Sequence, residues 1–424
     1  MVTKLRNWLE FPLHADYPLA SRPGALMVAG LACVAILIIT VTGLSRSLEQ
    51  RSPEFARTLF PLNAEAVLNR AAALRRASPD ADLQPLEPVA LGLLPTHAGD
   101  PRLYSLIGEI RRRAGDSQNA FIAFDQAFAL SRTEFDALLW TLQRALEQDD
   151  FSAALDRLDI LFRRWPGQVA LLAPALSDVF SNPKHYPRFL ERMKADPPWR
   201  RNLFPALSRD PAALAFLAQL MQDLAAGPTP PRSGEVTPVL SALLAAGRTD
   251  LAYRTFVLTL TPAERKHAGY VYNGRFLLPP SGRAFDWQIR NHPGMTATVG
   301  SGDEAGGLRV QFSNTPVLNL SIGQSTALPP GTYELEFTAA ATEARLPKEL
   351  LWRMVCLGSN RIVAEAPVSP GTYKATTSRT QLTIPNADCT LQALQLVTKA
   401  MVESWNDRYS GTVVFNDFRI SAVD

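Results

Sequence analysis

The segment DPRLYSLIGEIRRRAGDSQNAFIAFDQAFALS, Asp100 to Ser131, carries apolar residues at spacings of three and four. That is the signature of helices with one buried face. Leu103, Leu106, Ile107 and Ile110 line one helix; Ala120, Phe121, Phe124, Ala127 and Phe128 line another. The two meet at Ala114-Gly115-Asp116. The stretch from Glu134 to Gly167 repeats the plan, reading DALLWTLQRALEQDDFSAALDRLDILFRRWPG from Asp136 onward. Its turn falls at Gln148-Asp149-Asp150, and Pro166 ends it. Gly115 aligns with Asp149 and Ala120 with Ala154, an offset of 34 residues. One helix pair cannot bury its apolar face alone, so copies stack and share a core.

This period, with a small residue at the helix crossing, resembles tetratricopeptide repeats, although their characteristic Trp and Tyr positions are only loosely matched. The resemblance implies a helical solenoid whose surface takes cell-envelope protein partners. Helical character extends over residues 51–268. Asn63 to Pro95 reads as a degenerate earlier copy. Leu171 to Leu224 is helical but broken by Pro174, Pro183, Pro187, Pro197, Pro198, Pro205 and Pro211. A last unit runs from Val236 to Arg265, turning at Ala246-Gly247-Arg248-Thr249-Asp250. Gly227 to Gly234 (GPTPPRSG) is a linker or exposed loop.

Before the repeats lies one uninterrupted apolar run, ALMVAGLACVAILIITVTGL, Ala25 to Leu44. Twenty helical residues at about 1.5 Å rise reach roughly 30 Å, the hydrocarbon thickness of a bilayer. The expectation is a transmembrane helix over 25–44. A secretory signal is the alternative, but its apolar region is shorter, about 7–15 residues. Lys4, Arg6 and Arg22 precede the run; Arg46, Arg51 and Arg57 follow it, so charge asymmetry barely orients the chain. The amino terminus favours a cytoplasmic segment 1–24, in which Trp8 reads as part of a brief interfacial turn or of a disordered tail. Of the three cysteines, Cys33 lies in the run. Cys356 and Cys389 fit a disulfide in an oxidising compartment, or two buried thiols. The expected location is a bacterial inner membrane, with the following domains periplasmic.

Composition excludes little else. The 424 residues suggest about two or three domains. Net charge is +3 with charged residues at 20%, so nothing marks a nucleic-acid binder. Arg111-Arg112-Arg113, Arg163-Arg164 and Arg200-Arg201 read as solvated helix faces or, alternatively, as contacts for anionic polymer or lipid headgroups.

Near Gly269 the pattern changes to short strands with turn signals, over 270–424. Strands are expected at Leu308–Phe312, Leu318–Ile322, Tyr333–Thr338, Leu350–Leu357, Arg361–Ala366, Arg379–Ile384, Leu391–Val397 and Val413–Ser421. Pro329-Pro330-Gly331-Thr332 and Ser369-Pro370-Gly371-Thr372 are near-identical turns. About eight such strands predict a β-sandwich or jelly roll. The fold class is thus α followed by β: one transmembrane helix, a helical repeat region and a C-terminal sandwich.

The order YNGRF, AFDW, PGTYELEF, LWRMVC, IPNADCTLQALQL and GTVVFNDFRI resembles carbohydrate-binding modules of the galactose-binding-like jelly-roll type. In that picture Asn273-Gly274-Arg275-Phe276 and Phe415–Ile420 are the first and last strands. With the anchor and repeats, the whole resembles bacterial membrane proteins associated with exopolysaccharide or capsule assembly.

The motifs of catalysis are missing from the sequence. His14, His97, His185, His267 and His292 form no HExxH and lie near no cysteine pair. GxSxG and GxxxxGK[ST] do not occur. The glycines of Gly300–Gly306 precede a strand and read as a hairpin tip. Asp149-Asp150 and Asp80/Asp82 sit at helix turns, as capping requires. Neither an enzyme, a metal nor a cofactor is expected. Sugar binding is the sharper possibility: Trp405-Asn406-Asp407-Arg408-Tyr409 places two aromatics and three hydrogen-bonding side chains in one loop. The alternative is a rim loop whose Trp caps the sandwich, in a protein that is purely a protein–protein scaffold. Phe285 and Trp287 alternate onto one strand face, as do Trp352 and its neighbours, and read as packing residues.

Overall fold

The structure is a computed structural model that describes residues 22–300, 306–318, 320–400 and 404–423. The reading of residues 1–21 and the tip 301–305 lie outside the described residues. The chain divides into two compact units, one reaching to Ile160 and one running from Leu161 to Asp424.

In the first unit, α1 (Arg22–Leu48) is long and apolar enough to cross a membrane, and none of its apolar window is buried in protein. Its end is hooked to the two helices after it. The buried Ser45 hydroxyl donates to the Ala56 carbonyl at 2.6 Å, in α2 (Pro53–Leu59), and accepts from Asn63 Nδ2 at 2.9 Å. Asn63 also caps α3 (Ala64–Ala77) by accepting from Ala66 N–H. Helix α4 is Glu87–Leu93.

Four helices then keep a fixed rhythm: α5 (Pro101–Arg113), α6 (Ser117–Leu130), α7 (Phe135–Glu147) and α8 (Phe151–Arg164). Asp100 and Pro101 start α5, the carboxylate accepting from Arg102 N–H. Gly115 ends it with φ +82°, and Asp116 N–H reaches back to the Arg111 carbonyl at 2.9 Å. At the equivalent point after α7, Asp149 has φ +57° and Asp150 N–H reaches the Ala145 carbonyl at 2.9 Å. Asp116 and Asp150 then cap α6 and α8. Ala120 and Ala154 are fully buried, and Gly108 lies flat against the Phe124 ring. Leu103, Leu106, Ile107 and Ile110 join Val67, Ala71, Ala90 and Leu93 in one core. The Arg111–Arg113 run is tied to carboxylates, Arg111 to Glu87 at 2.8 Å and the other two to Glu109.

The second unit takes in the last turn of α8 and continues in short helices, as its prolines require: α9 (Gln168–Leu172), α10 (Ser177–Ser181), α11 (Tyr186–Lys194), α12 (Arg200–Leu207) and α13 (Leu214–Ala225). Then come α14 (Ser233–Ala245), α15 (Thr249–Leu258) and α16 (Pro262–Arg265). Arg200 is not solvated. It is 1% exposed and gives Glu235 a fork of hydrogen bonds at 2.9 and 3.1 Å, with further bonds to the Met193 and Thr229 carbonyls.

The sandwich consists of two antiparallel sheets. Its strands are β1 (Gln288–Arg290), β2 (Met295–Val299), β3 (Leu308–Pro316), β4 (Ser321–Thr326), β5 (Gly331–Arg345), β6 (Leu350–Cys356), β7 (Arg361–Val368), β8 (Gly371–Ile384), β9 (Gln392–Thr398) and β10 (Arg408–Ala422). One sheet runs β1-β4-β9-β6-β7, the other β2-β3-β10-β5-β8. The two Pro-Gly turns open β5 and β8, antiparallel neighbours, with Gly331 opposite Ile384 and Gly371 opposite Ala344. Alternation buries one face of each sheet. Between the faces Trp352 meets Trp287, Phe415 and Phe418 at 4.8–5.8 Å.

Two expectations fail around the start of this domain. Asn273–Phe276 is a turn, not a first strand: Asn273 takes φ +52°, and its buried side chain bonds Leu277 N–H, Leu278 N–H and the Leu278 carbonyl. Asn-Gly is a turn-forming pair, and that local preference prevails. Nor does Phe285 share a strand face with Trp287. Phe285 has φ +65°, which sends its ring to Tyr253 and Phe256 on α15, while Trp287 enters the sandwich core. Helix and sandwich are joined there by buried polar bonds as well. Gln324 bonds both backbone groups of Tyr272, and Arg283 pairs with Glu264.

Candidate functional site

The loop before β10 turns at Ser404, whose carbonyl accepts from Asp407 N–H at 2.9 Å. Trp405 is 70% exposed. The Arg408 guanidinium lies 4.2 Å above its ring, and Arg408 Nε donates to the Trp405 carbonyl at 3.1 Å. Such a cation–π contact is worth about 0.5–1 kcal/mol at an exposed site and orients the indole. Asp407 sits 3.8 Å from the Lys348 ammonium, and Asn406 is exposed beside it.

Tyr409 does not belong with these residues. It is fully buried, packs 5.6 Å from Phe312, and donates its hydroxyl to the Lys348 carbonyl at 2.9 Å. Burial pushes its phenol pKa up. The reason is register: β10 starts at Arg408, so the second residue of the strand already faces the core. The loop therefore offers one aromatic ring with Asn406, Asp407 and Arg408 around it. Sugars present apolar C–H faces and hydroxyls together, so a mostly exposed ring with a guanidinium over one face and polar groups beside it is suited to them.

The remaining groups have structural roles. Cys356, at the end of β6, is bonded to Cys389, with their Cα atoms 4.9 Å apart. Asp150 and Asp82 cap backbone N–H groups. Burial pushes Glu134 up, and its carboxylate accepts from Ala137 N–H and the Ser105 hydroxyl, which commits it to the start of α7. Among the described residues, no cluster of three His, Cys, Asp or Glu is placed to hold a metal ion.

No family model matches the chain, and no curated protein does. Solved structures align with the sandwich. A family 4 carbohydrate-binding module is 16% identical over 36% of this chain and 99% of its own, with a TM-score of 0.28. A family 16 carbohydrate-binding module is 15% identical over 36% and 99%, with a TM-score of 0.27. The family 22 xylan-binding domain from Paenibacillus barcinonensis is 14% identical over 36% and 92%, with a TM-score of 0.26.

Proposed function

We propose that this chain is a non-catalytic, single-pass inner-membrane component of a cell-envelope polysaccharide assembly or export system. In this reading residues 25–44 anchor it, residues 1–24 are cytoplasmic, and everything after residue 51 stands in the periplasm. The Cys356–Cys389 bond suits that oxidising compartment. The helix pairs, read as tetratricopeptide-like, hold envelope protein partners along their surfaces. The sandwich holds glycan at the Trp405 loop.

One observation carries the glycan reading. Trp405 is left 70% exposed at the rim of a sandwich whose other described tryptophans, Trp287 and Trp352, are buried, and Arg408 fixes its orientation. A large apolar ring kept in water at a loop tip is more useful to a ligand than to the fold. The burial of Tyr409 favours a second reading, a scaffold without sugar binding, because it removes one of the two rings.

Affinity electrophoresis of the full-length chain in detergent decides between them. The expected result is retardation by at least one neutral envelope-type polysaccharide. Trp405→Ala should lose about three- to tenfold in retention, as for a stacking ring worth about 0.5–1.5 kcal/mol. Wild-type mobility unchanged by every polysaccharide would establish the scaffold instead.

A further inference from the structure

A cleft of about 810 Å3 lies in the second unit, between the chain around Lys266–Arg275 and the outer face of β5 and β10. Its volume falls in the range of small-ligand sites, about 300–1,000 Å3. The floor is a bulge in β10, where the register against β5 shifts between Asn416 and Arg419 and Asp417 takes φ +54°. The bulge buries Phe418 and turns Asp417 and Arg419 outward. The wall is fixed on it: Phe418 N–H donates to the Gly274 carbonyl at 3.0 Å, and a Cβ at Gly274 would come 2.1 Å from the Phe418 carbonyl oxygen.

Into this cleft point Lys266, Arg275 and Arg419, against Glu336 and Asp417. Arg419 and Arg379 both bond Glu336, at 2.7 and 2.6 Å, and these two guanidiniums hold its carboxyl below the usual range. Arg275 lies 3.4 Å from Asp417. The side chains of Arg275 and Arg419 remain 60% and 69% exposed, so their pairing orients them without covering them. Tyr270, 38% exposed and braced edge-on against Tyr333 at 5.6 Å, stands at the margin.

We propose that this cleft is a second glycan site, which takes a carboxylate-bearing oligosaccharide. The cations outnumber the carboxylates, and two of them are guanidinium forks, whose geometry matches a sugar carboxylate. Glu336 and Asp417 accept from neighbouring hydroxyls, and the Tyr270 ring offers an apolar face. The proposal rests on reading the sandwich as glycan-binding, but not on the Trp405 loop.

The test is affinity electrophoresis of the full-length chain in detergent, in gels holding polygalacturonate, alginate or xanthan, with dextran and galactan as neutral counterparts. The expected result is retardation by at least one carboxylated polymer, weakening with salt. Arg275→Gln with Arg419→Gln should weaken it about tenfold. Lys266→Gln, an exposed change that keeps the paired arginines, should weaken it about threefold. If the double variant melts early, Lys266→Gln alone decides. Unchanged retention by the carboxylated polymer in the charge variants, an equal loss of neutral-polymer retention in those variants, or no retention by any carboxylated polymer would overturn the proposal. Retention lost only in Trp405→Ala would overturn the cleft and uphold the loop, whereas no retention by any polymer would remove the glycan reading altogether.

Discussion

The helix pairs between Pro101 and Arg164 and the sandwich from Gln288 onward are stabilised on different length scales. In the pairs, each device acts within one or two turns: Asp100, Asp116 and Asp150 cap, Gly115 and Asp149 reverse the chain, and Ala120 lets helices close up. In the sandwich the decisive groups are far apart in sequence. Trp287, Trp352 and Phe418 meet in one core, and Cys356 is bonded across 33 positions to Cys389. The pairs should therefore yield in small, additive steps, and the sandwich in large ones.

The largest expected effect is in the aromatic core. Trp352→Ala should cost about 3–5 kcal/mol, measured by denaturant unfolding of the full chain followed through the sandwich signal. A loss below about 1 kcal/mol would mean that the core does not depend on this ring. Next is the disulfide. Replacing Cys356 and Cys389 together by Ala should cost about 3–4 kcal/mol on the loop-entropy account. Equal stability in oxidised and reduced forms would place the sandwich nearer the helical regime.

Smaller effects belong to the helix pairs. Gly115→Ala, at φ +82°, should cost about 1–2 kcal/mol through backbone strain, while leaving the sandwich transition in place. Simultaneous loss of both transitions would contradict independent behaviour. The smallest effect concerns Glu109. Burial would raise its pKa, but hydrogen bonds and charges from Arg112 and Arg113 outweigh it and hold the pKa below 4.5. A folded value below the unfolded one gives stability present above about pH 4.5 and lost as pH falls further. Glu109→Gln should thus be less stable than wild type by up to about 1 kcal/mol at neutral pH and equal to it at pH near 2. A difference that persists at low pH would assign its cause to packing.

The same contrast of length scale explains how much of the molecule is legible in its sequence. The 34-residue rhythm, its turns at Gly115 and Asp149, and the capping carboxylates are local, and the sequence displays them directly. Most strands are legible too, since alternation is also local. Sequence and structure part where single backbone angles or distant partners decide the outcome. The positive φ of Phe285 separates it from Trp287 and gives it to α15. Asn273 folds a turn in place of a strand. The last strand begins not at Val413 but at Arg408, which takes Tyr409 out of the loop and into the core. The cleft at Arg275, Glu336 and Arg419 has no sequence signal, since a bulge more than a hundred residues downstream of Gly274 builds its floor.

The central claim, glycan at the Trp405 loop, is tested most directly by labelling the seven tryptophans of the full-length chain with 5-fluorotryptophan and titrating the polysaccharide that retards it. With a neutral polysaccharide as titrant, the resonance absent from Trp405→Ala should shift, while those of the buried Trp287 and Trp352 stay in place. A titration that moves the buried resonances, or leaves the Trp405 resonance unmoved while the protein binds that neutral polymer, would contradict the account.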